Sequence, residues 1–256
     1  MKRTLITLSL LVVFLAACNV PASPQTIETS ISSENAEVAD APMADEASEV
    51  PSVSAEDEAS IDQDTLSTAI ASIQTGVLTE DEAQALLFMR EEEKLARDTY
   101  LALYDIWQLP VFQNIAASEQ THTDAVKTLI DRYGLEDAFV DELGVFVNQD
   151  LQDLYDSLVS QGSQSIVDAL KVGGAIEEID ILDLKERVAQ TDKADIILVY
   201  ENLLKGSRNH LRAFVTNLQN QTGEVYTPQY MDVEAYQAII SSGVETGNPR
   251  RRGQGN

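Results

Sequence analysis

Long stretches of helical periodicity alternate along the chain with short stop signals. Between residues 79 and 222, apolar side chains recur at spacings of three and four, as on one buried face of a helix. Thr79 and Glu82 have the spacing of a capping box. Pro110 suits the first turn of a second helix, and Gly134 suits its end. No strand-like alternation competes, so the pattern predicts an all-α protein.

These signals predict four long helices and two short ones. The long helices are expected at residues 79–107, 110–133, 165–190 and 192–222, with Asp192 as the cap of the last; the short ones are expected at 151–159 and 233–241. Tight joints within each half and a long crossover over 135–163 predict a four-helix bundle with one long crossover between helices 2 and 3. An up-down-up-down bundle with one long loop and no special site has the same pattern.

Each predicted core stripe carries polar side chains near its middle. They are Glu93 on the first helix, Glu119 and His122 on the second, Glu177 and Asp180 on the third, and Ser207 and His210 on the fourth. Burying an ionised carboxylate is costly unless it is paired or binds a cation. No arginine lies on these stripes, and Glu119 with His122 forms a Glu-x-x-His pattern on one helical face. The stripes therefore predict a centre for one or two divalent metal ions.

The same helical spacing predicts the surroundings of several neighbouring side chains. Glu91 and Glu92 are expected to be solvated, with Glu92 and Glu178 as alternative ligands if a stripe is displaced by one residue. Tyr100, Tyr200 and Ser207 are expected either to hydrogen-bond around the site or to serve only in packing. The arginines Arg97, Arg208 and Arg212 are expected off the core, as partners for the acidic excess.

The composition narrows the range of functions. The chain of 256 residues has 43 acidic and 17 basic residues, a formal charge of −26, which argues against nucleic acid as a partner. A single cysteine, Cys18, cannot form an internal disulfide or a cysteine-rich zinc or iron–sulfur site. Since the chain has only two histidines, His122 and His210, any imidazole chemistry depends on them.

The two ends read as segments outside the bundle. Residues 1–17 have a charged start and a short apolar run, and Leu-Ala-Ala-Cys before and at Cys18 resembles a bacterial lipobox. This resemblance implies export, cleavage before Cys18, lipidation there, and a membrane-anchored lipoprotein of the cell envelope, in the periplasm or at the cell surface. Residues 18–75 are expected to form a disordered acidic tether, 76–223 the bundle, and 224–256 an extension with a short helix and a basic tail.

The chain resembles a known family over about residues 80–220. The stretches that carry the resemblance are MREEEKLARDTYLALY, NIAASEQTHTDAVKTLIDRYGL, GGAIEEIDILDL and YENLLKGSRNHLRAF. They resemble the DUF2202 family of bacterial proteins within the ferritin-like superfamily. The resemblance implies a ferritin-like four-helix bundle with a di-iron type of ligand set.

The ligand pattern of that superfamily is largely reproduced here. Glu93, followed by Ala96 and Tyr100, resembles the first-helix pattern of rubrerythrin-like members. Glu119 with His122 resembles the second ligand motif, Glu177 the third-helix ligand, and Asp180 a further carboxylate of some members. The fourth helix keeps His210 but has Ser207 where the pattern has Glu, which removes one expected ligand.

Two classes of function follow from this reading. The first is an exported metalloprotein that binds Fe or Mn, with Zn as a competing guest, and has ferroxidase or peroxide-reducing activity. The second is a non-enzymatic envelope binding or scaffold module with a degenerate, metal-free core. Cage-type iron storage suits a lipid anchor and a long tether badly. The sequence leaves the electron donor, protein partners and oligomeric state open.

Overall fold

The computed structural model describes residues 61–245 of the protein. This part is all-helical, as predicted, and contains seven helices and no strand. They are α1 (Gln63–Ser72), α2 (Glu80–Trp107), α3 (Pro110–Tyr133), α4 (Gln149–Gly162), α5 (Ile166–Gln190), α6 (Ala194–Thr222) and α7 (Val233–Ile240). The predicted signal peptide, Cys18, most of the predicted tether and the basic tail lie outside the described residues. No helix between residues 61 and 245 is both long and apolar enough to cross a bilayer.

The four long helices pack in two pairs. Helix α2 lies against α3 and α5 lies against α6, while α3 also contacts α6 and α2 contacts α5. An aromatic cluster marks one level of the core, with the Phe214 ring 5.0 Å from that of Tyr100 and 5.6 Å from that of Phe112. Gly173 lets α5 approach this cluster, because a Cβ there would lie 2.4 Å from the Phe214 ring. The burial of these side chains is the main source of stability of the bundle.

Most predicted helix ends are confirmed by the capping geometry. Thr79 and Glu82 form the capping box of α2, and Gly134 ends α3 in the left-handed conformation at φ 65°. The predicted cap of α6 is wrong by one residue. Lys193 is the N-cap and offers no side-chain bond, because Asp192 points into solvent and pairs with the Lys193 ammonium group.

Helix α1 corrects the predicted boundary of the tether. The composition predicts disorder for residues 61–72, but Leu66 and Ile70 are buried against the bundle. Gln63 Nε2 donates to the carbonyl oxygen of Thr121 at 2.5 Å, so α1 is also hydrogen-bonded to α3. Two buried aliphatic side chains one helical turn apart are enough to order this short amphipathic helix.

Charged side chains of α2 hold the crossover between α3 and α4. Lys94 is fully buried, pairs with Asp98 at 2.5 Å, and donates to the carbonyl oxygens of Glu142 and Val145 at 2.9 and 3.1 Å. Glu91 accepts from the backbone N–H of residues 147 and 148 at 2.7 and 3.0 Å, so the prediction that it is solvated is wrong. We call Glu91, Lys94 and Asp98 the crossover clamp.

The structure also corrects the predictions for Arg97 and Glu178, both of which are buried. Arg97 is 7% exposed and donates a hydrogen bond to Asp98 at 2.8 Å. It is therefore buried beside the crossover clamp and does not lie on the surface. Glu178 is fully buried, and it accepts from the Tyr226 hydroxyl at 2.6 Å and the Met231 N–H at 2.7 Å. Glu178 therefore anchors the C-terminal extension and is not an alternative ligand. Arg208 and Arg212 pair with Glu245, as expected of partners for acidic groups.

Candidate metal centre

Five of the predicted site residues meet in the middle of the bundle. Each is at most 2% exposed. They are Glu93 on α2, Glu119 and His122 on α3, Glu177 on α5 and His210 on α6. Among residues 61–245, two sets have ligand atoms within 4.8 Å of one another: Glu93, Glu119 and His122, and Glu119, Glu177 and His210. Glu119 belongs to both sets.

The Glu119 carboxylate lies between the two imidazoles. Its Oε2 is 2.8 Å from Nδ1 of His122, and its Oε1 is 2.8 Å from Nδ1 of His210. The two rings are stacked with centroids 5.4 Å apart. Glu93 Oε2 approaches His122 Nδ1 at 3.2 Å, and Glu177 Oε2 approaches His210 Nδ1 at 3.5 Å. This geometry could hold a cation on each side of the Glu119 carboxylate.

Helical spacing explains why these side chains converge. Glu119 and His122 are three residues apart on α3, so their side chains emerge on the same face. Glu93, Glu177 and His210 lie at the polar interruptions of three other apolar stripes, and the packing of α2, α5 and α6 aligns these interruptions at one level. No single helix could assemble the set.

Neighbouring hydroxyl groups orient two of the five side chains. The Tyr100 hydroxyl donates to Glu177 Oε1 at 2.5 Å. Ser118 Oγ lies 3.0 Å from Nε2 of His210, on the side of the ring away from Glu119. Such outer contacts position ligands in metal sites. Tyr100 was predicted from the sequence, whereas Ser118 was missed because it lies next to Glu119 and outside the α3 stripe.

Asp180 lies beside the five-residue cluster and does not join either set of ligand atoms within the described chain. Its Oδ2 contacts the hydroxyl of Ser207, which is also 2.9 Å from the Leu203 carbonyl oxygen. Because one hydroxyl proton cannot serve both oxygens, a proton on Asp180 would satisfy this arrangement. Burial, together with the charges of Glu93 and Glu92, raises the pKa of Asp180 well above its usual range. The predicted site residue Tyr200 is buried, but its hydroxyl has no hydrogen-bond partner in the part of the chain that the structure describes.

Without a metal ion, burial and charge in the cluster together favour protonated forms of Glu93, His122 and His210. Burial opposes ionisation of Glu119, but the imidazoles of His210 and His122 outweigh it and hold the pKa of Glu119 far below its usual range. Burial raises the pKa of Glu93 to about 7. Burial lowers the pKa of His210, yet Glu119 and Glu177 together raise it to about 9. The pKa of His122 is also raised, because Glu119 and Glu93 outweigh its burial.

The donor atoms of the cluster fit a metal ion. Within residues 61–245, Lys and Arg form no ion pair with Glu93, Glu119 or Glu177. Glu93 Oε1 is buried and receives no hydrogen bond from any described residue. Nδ1 of His210 also lacks a hydrogen bond of normal geometry, although Glu119 Oε1 lies 2.8 Å away. A coordinated cation would use both atoms. Nε2 of His122 also lacks a hydrogen-bond partner in the described chain, and coordination of a metal through Nδ1 would not supply one.

Comparisons with known proteins bear on the same part of the chain. The family model described as "Uncharacterized protein domain (DUF2202)" matches residues 82–243. The uncharacterized protein MJ0754 of Methanocaldococcus jannaschii is 53% identical over 182 residues, which is 71% of this chain and 98% of the relative. The crystal structure of hypothetical protein MJ0754 from Methanococcus jannaschii is similar, with a TM-score of 0.66 and 54% identity over 68% of this chain and 99% of that chain. All five residues of the cluster lie within the family match.

Proposed function

This chain belongs to the DUF2202 family, and from that premise we propose that its helical domain is a ferritin-like metalloprotein that binds one or two Fe or Mn ions. Glu93, Glu119 and His122 would hold one ion, and Glu119, Glu177 and His210 the other. Carboxylate oxygens with imidazole nitrogens suit Fe and Mn, and Zn is a competing guest. The Ser207 side chain in place of a carboxylate would leave the fourth helix with one ligand.

The observation that carries this proposal is the imbalance of buried charge. Three carboxylates lie at 1–2% exposure around two imidazoles, and their ion-pair partners in the described chain are those imidazoles alone. A buried acidic cluster of this kind is costly unless cations or protons balance it. Its ligand atoms already lie within coordination reach of one another.

Bound Fe would supply one-electron redox chemistry toward oxygen or peroxide, which is the basis for proposing ferroxidase or peroxide-reducing activity. The protein's own groups would hold and shield the site. Tyr100 keeps one oxygen of Glu177 in place by donating a hydrogen bond, and Ser118 orients the His210 ring. Phe112 and Phe214, both fully buried, contribute to an apolar core that limits the entry of water.

A metal-free scaffold is the second candidate, and one observation favours it. The raised pKa of His210, to about 9, allows an imidazolium ion to balance Glu119 and Glu177 without a metal. In that case the bundle would use its surface for binding, and the centre would serve only stability.

Metal analysis of the full chain separates the two candidates. The protein would be purified without chelator and titrated anaerobically with Fe(II) or Mn(II), beside the double variant His122→Ala/His210→Ala. We expect one to two metal ions per wild-type chain and almost none in the double variant. Binding of less than about half an ion per wild-type chain, unchanged by added metal, would contradict the metalloprotein proposal.

The cellular location remains a proposal from the sequence. We propose that residues 1–17 are removed and that a lipid on Cys18 holds the helical domain at the membrane. The observation behind it is the apolar run followed by Leu-Ala-Ala-Cys. Intact mass of the protein from its membrane fraction tests it. A mature chain that begins at Cys18 and carries acyl mass supports the anchor, and an unprocessed chain contradicts it.

A further inference from the structure

A row of acidic side chains leads from the metal centre toward the surface along α5. Glu177 is 1% exposed, Asp180 is 6% exposed, and Asp183 is partly exposed. They are three residues apart, and each step advances about 4.5 Å along the helix axis. The row therefore begins in the cluster and ends where solvent can reach it.

Glu92 faces this row from α2. It is 7% exposed, although its position beside Glu91 had suggested a solvated side chain. Its carboxyl group lies within hydrogen-bond reach of that of Asp183, and burial with this neighbour raises the pKa of Glu92 well above its usual range. The charges of Glu93 and Glu92 in turn raise the pKa of Asp180. Glu92 thus lies between the outer acid and the inner one.

Two of these carboxyl groups, those of Glu92 and Asp180, each have one oxygen without a hydrogen-bond partner among the described residues. Glu92 Oε2 and Asp180 Oδ1 are both buried and receive no hydrogen bond within residues 61–245. Glu178, also on α5, shows the contrast, because its oxygens accept bonds from a tyrosine hydroxyl and from backbone N–H groups. The one nearby guanidinium group, that of Arg187, acts on Glu92 and Asp183 at the outer end of the row. A cation could satisfy these two buried oxygens, which lack a partner within residues 61–245.

We propose that Glu92, Asp180 and Asp183 form a transit site through which divalent metal ions pass from the surface of α5 to the Glu/His centre. This inference rests on the proposed function of that centre. Asp183 would meet the hydrated ion first, because it is the partly exposed member. Glu92 and Asp180 would then replace part of its water shell before Glu93 and Glu177 bind it. The formal charge of −26 favours the approach of cations to such an entrance.

The test compares the rate of metal loading with the final occupancy in the full chain. Metal-free protein would be mixed with Co(II) in a stopped-flow instrument, and the ligand-field absorbance of the bound ion would be followed. The variants are Asp183→Asn and Glu92→Gln, and the matched control is Glu201→Gln, which changes an exposed acid on α6. We expect loading to slow by about tenfold or more in both variants and not in the control, because focused charge raises association rates by this order. Stoichiometry and affinity at equilibrium should stay at their wild-type values.

Different results would overturn the transit site and the proposed metal centre. If Asp183→Asn and Glu92→Gln load at the wild-type rate while the wild type binds Co(II) normally, the transit site is overturned and the metal centre stands. If the Asp183→Asn substitution weakens equilibrium binding as much as it slows loading, Asp183 belongs to the centre and the transit site is also overturned. If the wild type binds no Co(II) at equilibrium, both proposals fail. Thermal unfolding of each variant shows whether the bundle is folded under the conditions in which the rate of metal loading is measured.

Discussion

Buried charge is handled in two different ways on opposite sides of α2. In the crossover clamp, Lys94 pairs with Asp98 and donates to two carbonyl oxygens, while Glu91 accepts from two backbone N–H groups. In the centre, Glu93 contacts a histidine and another glutamate, and one of its oxygens receives no hydrogen bond from residues 61–245. The clamp is complete within the protein, whereas the centre is left for a proton or a metal ion. Burial alone therefore does not distinguish the acids of the proposed metal centre from those of the clamp; their different protein partners do.

The largest expected effect comes from removing the cation of the clamp. In Lys94→Met, the Asp98 charge stays buried and two carbonyl oxygens lose their donor, so unfolding free energy should fall by about 3–5 kcal/mol. The matched control is Lys127→Met, which removes an exposed i,i+4 pair with Asp131 and should cost at most about 0.5 kcal/mol. Chemical denaturation measures both. Equal stability of the two variants would mean that the clamp does not stabilise the crossover.

Two adjacent glutamates on α5 allow a buried acid of the centre to be compared with a buried acid that has protein partners. Glu177 and Glu178 are both buried, but only Glu177 lies in the cluster. Glu177→Gln should weaken Mn(II) binding by more than about 100-fold, because removing a ligand exceeds the effect of removing an outer contact. Glu178→Gln should keep the affinity and cost about 1–3 kcal/mol of stability through its unsatisfied neighbours. Similar Mn(II) affinities in the two variants would argue against Glu177 as a ligand.

Acidity should weaken the binding of metal at the centre. Because the pKa of His210 is raised to about 9, its imidazole is protonated at neutral pH in the metal-free protein and must lose that proton to bind metal. Mn(II) affinity should therefore rise from about pH 7 to about pH 9, by up to about tenfold per pH unit for this one proton. Anaerobic calorimetry in two buffers of different ionisation enthalpy measures the affinity and the proton release. A flat profile without proton release would contradict the raised pKa.

The smallest expected effect concerns the hydroxyl groups around the centre. Tyr100→Phe removes the donor to Glu177 and should weaken Mn(II) binding by about tenfold, as for other outer contacts. Tyr200→Phe is the matched control, since the Tyr200 hydroxyl is buried and has no hydrogen-bond partner among the residues that the structure describes. It should leave the affinity unchanged. If both substitutions alter binding equally, the effect belongs to packing and not to the Glu177 contact.

Three consecutive acids on α2 show how far sequence reasoning reached. The spacing singled out Glu93 correctly as the core-facing position, but it assigned Glu91 and Glu92 to solvent. In the structure Glu91 holds the start of α4, Glu92 faces Asp183, and Glu93 lies in the cluster. A single stripe describes a helix with one buried face, whereas α2 contacts α3, α4 and α5 and is buried on several sides.

Helix α1 shows a second limit of prediction from the sequence. Its composition resembles that of the acidic segment before it, so no compositional change marks its start. Its order depends on Leu66 and Ile70 packing against α3 and α6, which are distant in sequence. Ser118 was missed for a related reason, because its role comes from the approach of His210 on another helix.

The amino-acid sequence by itself determined the long helices, most of their ends, and the side chains that interrupt the apolar stripes, because helix periodicity and capping are local properties. The tertiary structure decided which interruptions share one cluster, which buried acids find protein partners, and where Asp180 and Glu92 face. These outcomes depend on distances between helices that are far apart along the chain. The partners of a buried charge are supplied by whatever packs against it, and a single helix does not contain that information.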